Sequence, residues 1–265
     1  MPTRERQDEY ARIPEAPLQI EEAVVCIARA IFMEGGTLVF GAHPSISPLV
    51  ARVVDNYYLP APAEEARKEP AGDDRHPRWR NPSVVIFQSR VWEEHWAEAT
   101  QHLARHPLVN IEWTEAEPGE RVDLQIKDRS QAPGSLARMR ETMIAKFSPV
   151  AMIAIGGMKG VIDEAKLFAR LRPGKPIFTF ATTGGAAALL AREESIREHV
   201  RVVDAEAGDL VRKFWEQQGE QIERRRWGQE GRKEPTEQQV REFYVPYAFV
   251  AQQIVAELCA GLQQG

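Results

Sequence analysis

Cysteine is nearly missing from this chain: Cys26 and Cys259 stand near its opposite ends, each within an apolar, helix-like run. Two thiols so placed exclude a disulfide framework or a cysteine-based zinc site, and they point to buried thiols in a reducing cytosol. No apolar run approaches the length of a membrane span, and the opening MPTRERQDEYARIPEAP is polar and charged, with no apolar core run. A cytoplasmic protein with no membrane partner is therefore expected. An excess of basic residues is lacking too. The net charge of −5 speaks against a general polyanion binder, so no nucleic-acid partner is expected. Neither GxGxxG nor GxxxxGK[ST] occurs, which disfavours a standard dinucleotide or ATPase site. Nothing calls for a metal or a cofactor, and no internal repeat is visible.

What is present suits one α/β domain. A hydrophobic content of 43% over 265 residues is enough for a sizeable core. In QIEEAVVCIARAIFM, Ile20, Val24, Ala28 and Ile31 form one helical stripe, ended by Gly35-Gly36. A strand over 37–40 follows, then GAHPSISPLVARVV, where Ser45 or Ser47 is placed to cap a helix with Leu49, Val50 and Val53 inward. Residues 59–82, rich in proline and charge, read as an exposed loop; their basic portion Arg75–Arg80 is short and has acidic neighbours.

Further strands are predicted at 83–87 (SVVIF), 109–113, 150–155 and 176–180. Helices are predicted through Trp92, Trp96 and Leu103, from Pro133 onward, after Gly160, and after Gly185. Strands alternating with helices over about residues 19–195 predict a Rossmann-like, doubly wound, mainly parallel sheet flanked by helices. About residues 196–265 form a C-terminal helical extension of the same domain. It comprises a charged helix at 209–226 and a last helix from about Thr236 to Leu262 bearing Phe243, Tyr244, Tyr247, Phe249 and Ile254. Tyr244, Tyr247 and Phe249 are candidate oligomer contacts.

Three glycine-bearing turns fall at the carboxyl ends of predicted strands: Gly41-Ala42-His43-Pro44, Gly156-Gly157 with Gly160, and Thr182-Thr183-Gly184-Gly185. Glycine allows tight backbone and close ligand approach, and N–H groups at a helix start suit an anion. Ser45, Ser47, Thr182 and Thr183 add hydroxyls suited either to phosphate oxygens or to capping. His43 suits a ligand contact or a structural bond equally well. Arg140 precedes the central strand and Glu164 follows it. Such a pair anchors a phosphate and stabilises an oxocarbenium ion, or forms an ordinary surface ion pair.

LVFGAHPSISPLV, LARMRETMIAKFSPVAMIAIGGMKGVIDEAKLF and IFTFATTGGAAALL together resemble the SLOG superfamily of Rossmann-like proteins. That superfamily includes the LOG phosphoribohydrolases, the DprA-type proteins and the ligand-sensing domains of Thoeris anti-phage effectors. LOG enzymes carry a catalytic Arg on one helix, a strand, then PGGxGTxxE with a catalytic Glu. By this resemblance Arg140 matches the Arg, and Glu164 matches the Glu if one residue is inserted in the turn. Ile155 stands where the enzymes have proline, Val161 where they have threonine, and Met158-Lys159 extend the loop. The GGM-x-G-V form, together with TTGGAA, is similar to the sensor-like branch found with defence genes.

The resemblance implies a nucleotide or nucleotide-derived ligand, ADP-ribose-like and linear or cyclic, bound by a homo-oligomer (a dimer or higher). Ligand contacts are expected from Gly41, His43, Pro44, Ser45, Ser47, Gln88, Arg90, Arg140, Gly156, Gly157, Met158, Lys159, Gly160, Glu164, Thr182, Thr183, Gly184 and Gly185. The alternative it implies is a phosphoribohydrolase that cleaves the N-glycosidic bond of nucleoside 5′-monophosphates with Arg140 and Glu164.

Overall fold

Two short runs, VVIF and IFTF, set the architecture: their one polar residue, Thr179, spends its hydroxyl on the Ala187 carbonyl at 2.7 Å, and strands so apolar need cover on both faces. In the computed structural model, which describes residues 16–57, 84–123, 131–204 and 246–263, each run is the middle strand of a parallel three-stranded sheet. The chain divides into two compact units, each holding one sheet. The first comprises Val24–Pro149 with Arg170–Arg172, and the second Met1–Ala23, Val150–Ala169 and Pro173–Gly265. Residues 59–82, the helix expected at 209–226, and Phe243 and Tyr244 lie outside the described residues.

Helix α1 (Ala16–Met33) opens the described chain. Val24 and Ala28 of the expected stripe are buried, Ile20 and Ile31 are half-buried, and Ala23, Ile27, Ala30 and Phe32 widen the buried face. In the first unit, strands β1 (Leu38–Gly41), β2 (Val84–Ser89) and β3 (Val109–Thr114) lie in that order, with every β2 residue buried. Helix α2 (Ser47–Tyr57) follows β1, and helix α3 (Glu98–Ala104) leads into β3. Helix α4 (Pro133–Phe147) lays Met139 and Met143 against Val85 and Phe87 of β2, and Phe147 meets Phe87 edge-on at 5.7 Å.

The single helix expected through Trp92, Trp96 and Leu103 is instead two pieces. A 3-10 turn, Arg90–His95, is capped by the Ser89 hydroxyl and ends at Trp96, whose backbone is extended. The Trp96 ring packs on Trp113 at 5.1 Å, and the Gln101 side-chain amide donates to the Trp96 carbonyl at 2.9 Å. These tertiary contacts hold the break against helical periodicity.

In the second unit, β4 (Met152–Ile155), β5 (Ile177–Phe180) and β6 (Val200–Val202) lie in sequence order, with all of β5 buried. Helix α5 (Lys159–Leu171) leaves β4, and the short α6 (Gly185–Leu190) follows a 3-10 turn at Ala181–Thr183. Helix α7 (Tyr247–Gln263) buries Tyr247, Val250, Ala251, Ile254 and Val255, the spacing of one helical face. Tyr247, expected as an oligomer contact, is thus only 4% exposed and part of that inner face, whereas Phe249 is 41% exposed.

The expected α/β, Rossmann-like class is what these parallel sheets, flanking helices and C-terminal helix form. No disulfide joins Cys26 and Cys259, which are half-buried rather than buried. Among the described residues, no helix is long and apolar enough to cross a membrane, and no group of three His, Cys, Asp or Glu side chains is placed to hold a metal.

Candidate functional site

The turn after β4 has a backbone that only glycine adopts readily. Gly156 and Gly157 take φ of 55° and 85°. A Cβ on Gly156 would lie 2.6 Å from Ile20 Cδ1, and one on Gly157 would lie 2.5 Å from Val161 Cγ2. The chain then enters α5 at Lys159, so Gly160, expected in the turn, is already helical. Lys159 is exposed, Met158 and Gly160 are half-buried, and Glu164 is half-buried one turn further along α5. The first N–H groups of a helix have no acceptor within it and carry its positive dipole end.

The turn after β5 is built differently. Gly156 N–H donates to Thr183 Oγ1 at 2.7 Å, and that hydroxyl donates to the Phe180 carbonyl at 2.6 Å. The carbonyls of Gly157 and Gly156 accept the N–H groups of Ala186 and Ala187 at 3.1 and 2.9 Å. The Gly184 N–H goes to the Ala181 carbonyl, and the Thr182 N–H goes to Asp204 Oδ2 at 2.5 Å. The two glycine turns are therefore brought together, with the carbonyls of the first closing the helix start of the second. Thr182, Thr183 and Gly184 meet the chain's own groups where phosphate oxygens were expected.

The turn after β1, in the first unit, is also closed. Ala42 N–H donates to the Phe87 carbonyl, and those of Ile46 and Ser47 donate to the His43 carbonyl. Ser45 N–H donates to His43 Nδ1 at 3.1 Å, which favours the structural role for that ring. Ser47 is fully buried and its hydroxyl accepts from Thr100 at 2.9 Å, so it joins α2 to α3 rather than facing a ligand. Gly41 ends β1 with Met139 beside it; Pro44 and Ser45 are exposed.

Gln88 is buried at the end of β2. Arg90 donates to Glu93 at 2.9 Å and to Glu115 at 3.1 Å while lying over Trp113, so its charge is already matched. Glu93 first, then Glu115, raise the pKa of that guanidinium further. Arg140 is half-buried on α4 in the first unit, and Glu164 belongs to the second.

Sequence reasoning missed Glu120 and Asp204 and gave Tyr247 a different role. Glu120 sits at the start of α4, accepting Gly134 N–H at 2.8 Å, Ser135 N–H at 2.7 Å and the Ser135 hydroxyl at 2.5 Å. That hydroxyl, with the two N–H groups, holds the Glu120 carboxyl below its usual pKa. Asp204 follows β6, where an acidic residue at the end of HVRVVD was the available signal. Tyr247 places its hydroxyl 2.8 Å from Thr182 Oγ1 and its ring 5.8 Å from Phe180. Burial, opposed by the Thr182 bond and helped by Asp204 and Glu22, pushes its pKa up to about 12. Nothing local in the sequence announces a contact 65 residues away.

The turns after β1 and β5 are closed by internal hydrogen bonds, and at the turn after β4 the Gly156 N–H is spent on Thr183 and the Val161 N–H on the Met158 carbonyl at 2.7 Å. A family model, described as the SLOG cluster3 family, matches residues 77–214, or 138 of 265. The match takes in both glycine turns, α4, α5 and Asp204, and leaves out the β1–α2 turn and α7. No curated protein and no solved structure matches the chain.

Proposed function

The chain belongs to the SLOG cluster3 family, which points to a nucleotide-related ligand, bound or processed; from that premise we propose that it is a binding protein for a nucleotide-derived, ADP-ribose-like molecule, serving defence or stress signalling. One observation carries the reading. The positive-φ pair Gly156-Gly157 leads from the carboxyl end of a parallel strand straight into α5 with Lys159 exposed at its start. Backbone donors, a helix dipole and an ammonium group together suit a phosphate.

Binding is favoured over hydrolysis by Val161. Where the resembling enzymes carry a threonine hydroxyl, this chain places an apolar side chain against Gly157. Glu164, on the same helix, keeps the hydrolase reading testable.

The test incubates the protein with AMP, NAD and ADP-ribose while following melting temperature and base release together. A rise in melting temperature without product supports binding, since a ligand at about 100 times its Kd adds about 2.7 kcal/mol. Free base, lost in Glu164→Ala, assigns the hydrolase reading instead. Neither response with any of the three refutes both.

A further inference from the structure

Asp204 lies two residues beyond the carboxyl end of β6 and is 3% exposed. Its Oδ2 accepts the Thr182 N–H at 2.5 Å, while its Oδ1 is shut from solvent with no hydrogen-bond partner among the described residues. A carboxylate oxygen left bare in a dry setting is costly, and native structures rarely keep one without an occupant. Next to it, Thr182 Oγ1 and the Tyr247 hydroxyl lie 2.8 Å apart. Their contact uses one of the pair's two protons and leaves oxygen lone pairs that can accept from a third group.

We propose that Asp204, with Thr182 and Tyr247, forms a subsite for a neutral hydrogen-bond donor of the ligand, a hydroxyl or amine of the kind a nucleoside carries, and not for phosphate. The inference rests on the nucleotide reading above and assigns the other end of that ligand. Several features agree. The Thr182 N–H, which a phosphate oxygen would need, is already spent on Asp204. Both Asp204 and Glu22 act on the Tyr247 hydroxyl with negative charge, so an added anion meets like charges at this end. The subsite also lies where β5 and β6 end, the edge at which parallel sheets receive ligands. Thr183, the neighbour of Thr182, is bonded to Gly156, so donor subsite and anion turn are joined through one residue step.

The recognition divides the ligand by chemistry. Phosphate goes to the α5 start, where donors and positive charge gather, and hydroxyl or amine goes to Asp204, where acceptors and negative charge gather. Two parts of a nucleoside offer such donors, the ribose diol and the exocyclic amine of adenine, and the experiment separates them.

The experiment is calorimetric titration of AMP and ADP-ribose into wild type and Asp204→Asn, with the folding of the variant checked by its melting curve. A single hydrogen bond to a carboxylate is worth about tenfold or more in affinity. The variant is therefore expected to bind either nucleotide about tenfold more weakly. In wild type, a like loss with 2′- or 3′-deoxy-AMP assigns the ribose, and a like loss with IMP assigns the amine. Equal binding of the deoxy and inosine analogues in wild type overturns the proposal even if the variant fails to fold. So does undiminished binding by the folded variant, which would leave Asp204 Oδ1 to water. Failure of wild type to bind AMP or ADP-ribose at all is a different result: it removes the nucleotide reading, and the subsite with it.

Discussion

The Thr183 hydroxyl stands between Gly156 and Phe180, accepting the N–H of the first at 2.7 Å and donating to the carbonyl of the second at 2.6 Å. It fastens the glycine turn after β4 to the end of β5, and it is fully buried.

Replacing it by valine keeps the shape and removes both bonds. The Gly156 N–H and Phe180 carbonyl are then left buried and unmet, so Thr183→Val is expected to cost about 1–3 kcal/mol in urea denaturation. Thr183→Ser retains the hydroxyl and should lose clearly less. Equal losses in the two variants would show that the methyl, not the hydroxyl, matters.

Gly157 has φ of 85° and Val161 Cγ2 against the position of any Cβ. Gly157→Ala is expected to destabilise by about 1–3 kcal/mol from backbone strain, with the side-chain clash added. Adding Val161→Ala relieves the clash but not the φ, so the double variant should recover part of the loss. Full recovery, or none, would contradict this division.

The Glu120 carboxyl sits at the α4 start with its pKa below the ordinary value of 4.5, chiefly through the Ser135 hydroxyl. A depressed folded pKa gives stability that is present above the ordinary value and disappears as pH falls through the folded one. The amide resonances of Gly134 and Ser135 should titrate with a midpoint below the ordinary 4.5. Movement centred at or above the ordinary value would rule out the Glu120 contact. In Glu120→Gln the transition should vanish.

Tyr247 supplies the opposite sign. Its pKa is raised from 10.0 to about 12, first by burial, so the neutral phenol is favoured in the folded state. The stability this gives is whole below pH 10 and fades as pH rises toward about 12. Melting temperatures of wild type should therefore fall more steeply across that window than those of Tyr247→Phe. Parallel curves for the two proteins would mean that the hydroxyl titrates as if exposed.

The class of fold was legible because VVIF and IFTF, each followed by a helix, leave few arrangements besides a parallel α/β sheet. The glycine turn after β4 was legible for a related reason, since Gly156-Gly157 marks positions where a Cβ has no room. The other two turns were legible as turns and not in their bonding. Glycines and hydroxyls at Gly41–Ser47 and Thr182–Gly185 look alike whether their N–H groups meet a ligand or the chain itself, and His43, Asp204 and the Gly156-Gly157 carbonyls decide that only in three dimensions. Trp92–Leu103 broke the expected helix because Trp113, on β3, holds Trp96. Tyr247 was expected at an oligomer contact because helical spacing defines an apolar face without saying what covers it.

The central claim is that a nucleotide's phosphate meets the turn between β4 and α5. Amide chemical-shift mapping during a titration with ADP-ribose tests it most directly. The account predicts that Gly157, Met158, Lys159 and Gly160 show the largest shifts and that they saturate together. Saturable binding that leaves these four amides unmoved, or the absence of any binding, would contradict it.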